Sequence, residues 1–134
     1  MSSTRRKILI VDDEAPIRHV VGQRLRAAGY EVVEATDGIE ALDLVHAEPV
    51  SLVVTDLQMS YMSGVELCRR LKESEATAQL PAILLTARGY VLDDVQISQT
   101  NIKHVMAKPF SAREVLERIE AILGPQATPR SEAA

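Results

Sequence analysis

The sequence of 134 residues has one cysteine, Cys68, and no tryptophan. A single cysteine cannot form a disulfide within the chain, and no group of Cys and His residues has the spacing of a zinc site, so a disulfide scaffold and a zinc domain are both excluded. The N-terminal segment 1–7 lacks the apolar region of a signal peptide, and no apolar run approaches the ~20 residues that span a bilayer. We therefore expect a cytoplasmic protein with no membrane contact.

Basic charge and aromatic rings are also scarce. The chain has 15 Lys and Arg residues against 19 Asp and Glu residues, a net charge of −4. Its aromatic residues are Tyr30, Tyr61, Tyr90 and Phe110. A nucleic-acid-binding surface needs a basic face or stacking rings. The composition therefore predicts no direct contact with nucleic acid.

Length and composition predict one domain. We expect it to cover residues 6–124, with a disordered tail at 1–5 and a second tail, or the start of a linker, at 125–134, where Ser, Pro and Ala dominate. On this prediction the 134 residues hold no effector domain. The output would then be contact with another protein.

The hydrophobic pattern alternates between two periods along the chain. Short apolar runs rich in β-branched residues predict strands at 7–11, 31–35, 51–56, 82–86 and 104–107. Apolar residues at helical spacing predict helices from Pro16 to about Gly29, after Asp37, over 65–72 and after Ser111. The segment 89–103 has the weakest pattern, and we expect its helix to be short or mobile.

Strands that alternate with helices need crossover connections, which predicts an α/β fold with a doubly wound, five-stranded parallel sheet and helices on both faces. Such sheets place their sites outside the carboxyl ends of the strands. The polar residues that end the apolar strands would therefore meet at one edge: Asp12, Asp13, Asp56, Thr86 and Lys108.

Three carboxylates at one edge repel one another unless a cation neutralises them. Mg²⁺ fits, because it is held by one or two carboxylates together with water and phosphate oxygens. A lysine reads phosphate as a point charge, and a threonine hydroxyl donates in an adjustable direction. These groups are the parts needed for phosphoryl transfer to a carboxylate.

Four motifs stand at strand ends in a fixed order: Val11-Asp12-Asp13-Glu14, Val54-Thr55-Asp56, Thr86-Ala87 and Lys108-Pro109-Phe110. With this set the chain resembles the receiver domain of two-component response regulators, of the single-domain chemotaxis-regulator type. The resemblance covers about Arg6 to Leu123. It implies a flavodoxin-like strand order, 2-1-3-4-5.

The resemblance implies roles for the acidic residues. Asp56 would accept the phosphoryl group. Asp13 would hold Mg²⁺ directly and Asp12 through water, with Asp56 and the backbone carbonyl of Gln58 as further ligands and Mn²⁺ as an alternative ion.

The resemblance also implies which groups hold the phosphoryl oxygens. These are the hydroxyl of Thr86, the ammonium of Lys108 and the backbone N–H of Ala87, and the Lys108-Pro109 peptide is expected to be cis. Gln58 and Arg88 are either solvated side chains or groups that control the lifetime of the acyl phosphate.

The implied function is that of a signalling phosphoacceptor, not a turnover enzyme. Its partners would be a sensor histidine kinase or histidine phosphotransfer protein and a downstream protein target. The sequence does not decide whether the protein also forms a weak dimer. The family often has an aromatic residue where this chain has Val105, so an aromatic switch is absent at that site.

Three alternatives are weighed against this function. A phosphorylation-independent interaction module, or pseudo-receiver, is favoured by Val105 and by the unusual segment 89–103. A flavodoxin-like nucleotide or flavin binder is disfavoured, because Asp12-Asp13-Glu14 would repel a phosphate. A phosphatase with an aspartate nucleophile is disfavoured, because the sequence after Asp56 lacks the second acid of an Asp-x-Asp pair.

Overall fold

The computed structural model of the chain describes residues 5–87 and 89–124. The predicted tails lie outside the described residues except for Arg5, and Arg88 lies outside them too. Within the described residues, strands and helices alternate in this order: β1 (Lys7–Val11), α1 (Ala15–Ala27), β2 (Glu31–Ala35), α2 (Gly38–Ala47), β3 (Leu52–Asp56), α3 (Gly64–Glu73), β4 (Ala82–Thr86), α4 (Asp94–Gln99), β5 (Ile102–Ala107) and α5 (Ala112–Leu123). None of these helices is long and apolar enough to cross a bilayer.

The five strands form one parallel sheet in the order β2-β1-β3-β4-β5. The predicted fold class and strand order are therefore confirmed. The chain leaves β1 to one side to form β2 and returns to the other side for β3, so the order reverses next to β1. The carboxyl ends of β1 and β3 are neighbours at this reversal, the place where sheets of this type carry their sites.

Alternate residues of the central strands face two separate cores. Ile8 and Ile10 pack with Leu25 of α1 and Ile119 of α5. On the opposite face, a second cluster joins β1 to α2 and α3: Leu9, Val11, Ala41, Leu67, Cys68 and Leu71. Helices therefore cover both faces, which is why β1, β3 and β4 read as continuous apolar runs.

Asp37 and Ser111, after which the sequence predicts helices, are both N-cap residues. Ser111 and Glu114 form a complete capping box at the start of α5. Asp37 accepts a hydrogen bond from the N–H of Glu40, but the carboxylate of Glu40 accepts from the N–H and hydroxyl of Thr36, so the capping box at the start of α2 is half formed.

The thiol of Cys68 is buried, and burial raises its pKa to about 12, so it behaves as a small apolar side chain.

Other predictions need correction at the element boundaries. β5 begins at Ile102 rather than 104, because Ile102 pairs with Ala82 across an irregular step in the register. The helical spacing of Ile17, Val20 and Val21 predicts that Val20 lies on the apolar stripe of α1, but its side chain is 54% exposed. The predicted short helix in 89–103 is confirmed as the six-residue α4, which begins at Asp94, after Val91.

The β4–α4 segment is held by a few polar contacts. The N–H of Tyr90 donates to the carbonyl of Ala87 at 3.4 Å, and the side chain of Gln96 donates to the Tyr90 hydroxyl at 2.9 Å. Asp93 and Gln96 form a capping box, and none of the helical residues of α4 is buried. At the other end of α4, the hydroxyl of the buried Thr100 donates to the carbonyl of Gln96 at 2.7 Å.

A close backbone approach positions the loop between β3 and α3. A Cβ atom at Gly64 would collide with the carbonyl oxygen of Asp56. The N–H of Gly64 donates to the carbonyl of Leu57 at 2.8 Å, which closes the loop over residues 57–63. Ser63 then caps α3 by accepting the N–H of Glu66. Glycine is thus needed where α3 starts against the end of β3.

Candidate functional site

Three carboxylates meet at the ends of two neighbouring strands. Asp12 and Asp13 directly follow β1, and Asp56 ends β3, which pairs with β1. Each offers an oxygen, and these oxygens lie within 4.8 Å of one another. Asp12 is fully buried and Asp56 is 5% exposed, whereas Asp13 is exposed. Like charges this close in partly buried surroundings repel, so the site favours a bound cation.

Asp12 is the deepest of the three acids. One carboxylate oxygen, Oδ1, accepts the N–H of Glu14 at 2.9 Å, while the buried Oδ2 has no partner within the described part of the chain. Arg18 donates to the backbone carbonyl of Asp12 at 2.7 Å and so fixes the turn from β1 into α1. Burial raises the pKa of Asp12 to about 6, and the charge of Asp56 acts in the same direction.

The metal-free protein is therefore expected to lose stability as the pH rises from about 4 to about 7. The folded state raises the pKa of Asp12 from 3.8 to about 6 and so binds this proton more tightly than the unfolded chain does. The contribution is fully present below the unfolded-state pKa and is lost as the pH passes the folded-state pKa. It amounts to about 3 kcal/mol.

Urea denaturation in the presence of a chelator, at about pH 5 and about pH 7.5, measures this effect. Asp12→Asn should lose most of this pH dependence, whereas Asp43→Asn, at an exposed acid of α2, should keep it. Equal pH dependence in the wild type and in Asp12→Asn would contradict the assignment.

Lys108 brings a positive charge to the same edge from the end of β5. Its Nζ atom lies 2.8 Å from Oδ1 of Asp56 and 3.9 Å from Oε1 of Glu14. Burial lowers the pKa of Lys108, but the hydrogen bond and charge of Asp56 outweigh it, so the pKa is raised overall. The Lys108-Pro109 peptide is cis, as the resemblance implied. The ammonium is thus held on the carboxylate that ends β3.

A cleft of about 450 Å³ opens beside these groups. Thr86, 2% exposed, ends β4 at this cleft, and its hydroxyl has no partner among the residues that the structure describes. Exposed Ala87 and Gln58 stand on the two neighbouring loops. The lining residues are Asp13, Glu14, Asp56, Leu57, Gln58, Thr86, Ala87 and Lys108. The structure therefore brings the predicted site residues together, with Asp12 buried beside the cleft.

Two residues of the site were given no role in it by the sequence reasoning. Glu14 lines the cleft and shares Lys108 with Asp56. Arg18 holds the turn after β1 and also pairs with Glu34 of β2 at 3.2 Å. The signal for Glu14 was present as the third consecutive acid after a strand, and Arg18 lies one helical turn beyond it.

The sheet order and the acidic edge with its lysine are those of a doubly wound α/β signalling domain. The family model described as "Response regulator receiver domain" matches residues 8–120. The chain belongs to this family.

Three related proteins place the chain within the family. It is 40% identical over 116 residues to the phosphate regulon transcriptional regulatory protein PhoB of Pseudomonas aeruginosa, covering 87% of this chain and 51% of that protein. The chemotaxis response regulator CheY4 of Vibrio cholerae has a similar structure, with a TM-score of 0.82, 28% identity, and coverage of 90% of this chain and 100% of that one. The response regulator TrrA of Thermotoga maritima, solved in complex with Mg²⁺-BeF, has a TM-score of 0.77 and 30% identity. The match covers 88% of this chain and 99% of that one.

The similar proteins differ in length. The chain spans about half the length of the transcriptional regulators that it matches, but 100% of the CheY4 chain. The similarity to the longer proteins therefore concerns their receiver domain.

Proposed function

We propose that this receiver domain accepts a phosphoryl group on Asp56 from a phosphohistidine in a Mg²⁺-dependent reaction. The observation that carries the proposal is the pairing of Asp56 with Lys108 at 2.8 Å inside the three-carboxylate cleft. Asp56 is the one acid of the three that both lines the cleft and contacts a fixed cation within the described residues.

The residues present fit a hard divalent cation. The unpartnered Oδ2 of Asp12 is buried, and oxygens of Asp12, Asp13 and Asp56 lie within 4.8 Å of one another. We assign these three carboxylates and the backbone carbonyl of Gln58 as the groups that would hold Mg²⁺, with Mn²⁺ as an alternative ion. When bound, the ion offsets the negative charge of the carboxylates and of the phosphoryl oxygens.

The proposed transfer step uses the side chains that meet at the cleft. A carboxylate oxygen of Asp56 attacks phosphorus and forms a P–O bond, while the P–N bond to the donor histidine breaks and the imidazole nitrogen leaves with the electron pair. Lys108, freed from its ion pair as Asp56 loses carboxylate charge, contacts a phosphoryl oxygen. The hydroxyl of Thr86 and the N–H of Ala87 donate to the remaining oxygens.

The output of the domain is a change in protein contacts. The buried hydroxyl of Thr86 has no partner among the described residues, and a phosphoryl oxygen on Asp56 would give it one. This difference favours a second conformation of the segment after β4. We infer a cytoplasmic signalling protein whose partners are a histidine kinase or phosphotransfer protein and a downstream target, with no nucleic-acid contact by this domain.

Intact-mass spectrometry with a small acyl-phosphate donor tests the proposal. The wild-type protein should gain the mass of one phosphoryl group in Mg²⁺, and a chelator should abolish the gain, because nothing then offsets the repulsion between the carboxylates and the donor. Mn²⁺ should restore it. No gain despite measurable Mg²⁺ binding would contradict the proposal and favour the phosphorylation-independent module, which the half-buried, non-aromatic Val105 also favours.

A further inference from the structure

The loop between β3 and α3 contains a γ-turn centred on Tyr61. The N–H of Met62 donates to the carbonyl of Ser60 at 2.9 Å, and φ of Tyr61 is +74°. A γ-turn of this hand is rare and strained, and a bulky side chain is unfavourable at positive φ. Within the described residues, the other positions with positive φ are all occupied by glycine.

The side chain of Tyr61 does not offset this strain by packing. It is 81% exposed, the largest exposure among the large apolar side chains in the described part of the chain, whereas Tyr30 is 1% exposed. A glycine at this position would relieve the backbone and would remove an apolar ring from water. Strain that brings no stability to the fold is characteristic of functional surfaces.

The location of Tyr61 indicates that this function concerns the cleft that holds Asp56. Leu57 and Gln58, at the start of the same loop, line the cleft that holds Asp56. The Cα atom of Tyr61 is three residues beyond Gln58 and hence within ~11 Å of it. The hydrogen bond from Gly64 to Leu57 holds both ends of the loop together, so the loop that carries Tyr61 borders the cleft and forms part of its rim. A protein that carries a phosphohistidine into the cleft must cover this rim, whereas a small donor need not touch it.

We propose that Tyr61 is a specificity-determining contact for the protein that donates the phosphoryl group, packing its ring against an apolar patch beside the donor histidine. This inference rests on the proposed phosphoacceptor function. Tyrosine offers a large, rigid contact area at low conformational cost and is enriched in interfaces. The strained turn fixes the backbone of the loop tip, so little ordering remains for the moment of docking.

The test compares two donors on the same variants. The small donor is acetyl phosphate, and the protein donor is the purified, autophosphorylated histidine kinase that transfers fastest to the wild type among those of the source genome. Tyr61→Gly should lower kcat/KM with the kinase about tenfold, mainly through KM, and leave the rate with acetyl phosphate unchanged. Tyr61→Phe should retain most of the kinase rate, and Ile97→Ala, at a 55% exposed residue of α4, should behave as the wild type.

Thermal unfolding separates a contact from a structural role. Tyr61→Gly should melt at or above the wild-type Tm, because glycine accepts positive φ. Unchanged transfer from the kinase to Tyr61→Gly would overturn the inference, and so would an equal loss with both donors, which would place the effect in the cleft. Labelling of the wild type by acetyl phosphate but by no kinase would overturn it as well. Failure of both donors on the wild type would overturn the proposed function itself.

Discussion

Asp56→Asn is expected to abolish phosphorylation and to keep the fold. The amide has the shape of the carboxylate but cannot attack phosphorus as an anion, so no P–O bond forms. The substitution also removes one of three mutually repelling carboxylates. The metal-free variant should therefore be at least as stable as the wild type at about pH 7.5, and its stabilisation by Mg²⁺ should be much weaker.

Intact-mass spectrometry in Mg²⁺ with acetyl phosphate, together with thermal unfolding with and without Mg²⁺, measures both effects. Asp43→Asn removes an exposed acid of α2 with the same change of charge, and it should be labelled like the wild type. Labelling of Asp56→Asn at another residue would show that the acceptor has been wrongly assigned.

Lys108→Ala should slow phosphorylation by acetyl phosphate about 10²-fold, the usual effect of losing one group that stabilises developing charge. Lys108 contacts Asp56 at 2.8 Å and is the one lysine that lines the cleft within the described residues. Binding of Mg²⁺ should be retained or tightened, because the carboxylates lose a competing cation.

The conformational response should be lost together with the rate. Once labelled by prolonged incubation, Lys108→Ala should show little of the near-ultraviolet circular dichroism change that phosphorylation is expected to cause in the wild type. Lys103→Ala, at an exposed lysine of β5, is the matched control and should respond normally. A full spectral change in labelled Lys108→Ala would refute the role of Lys108 in switching.

Patterns local in the sequence predicted most of the fold. The continuous apolar runs of β1, β3 and β4 are readable because both of their faces are buried, and their polar ends define the site edge. The start of α5 after Ser111 was predictable because the hydrogen bonds between Ser111 and Glu114 lie within four residues. Strand order alone was enough to predict that the side chains named for the site lie together at one edge of the sheet.

Features that depend on three-dimensional surroundings were not predictable. The exposure of Val20 depends on how α1 packs against α5, which periodicity alone does not define. The unpartnered oxygen of Asp12 follows from its burial among the strand ends. The positive φ of Tyr61 has no sequence signal, because tyrosine is not a residue that favours this backbone conformation.

The polar attachments of α4 have a consequence for the energy that signalling needs. A helix of six residues that buries none of its side chains draws little stability from the core, and a free helix of this length does not persist in water. This segment is therefore expected to open at a lower free energy than β1, β3 and β4. On the proposed function, a phosphoryl group on Asp56 that formed one or two charge-assisted hydrogen bonds at the end of β4 would supply enough energy to reorganise α4 while the sheet stays closed.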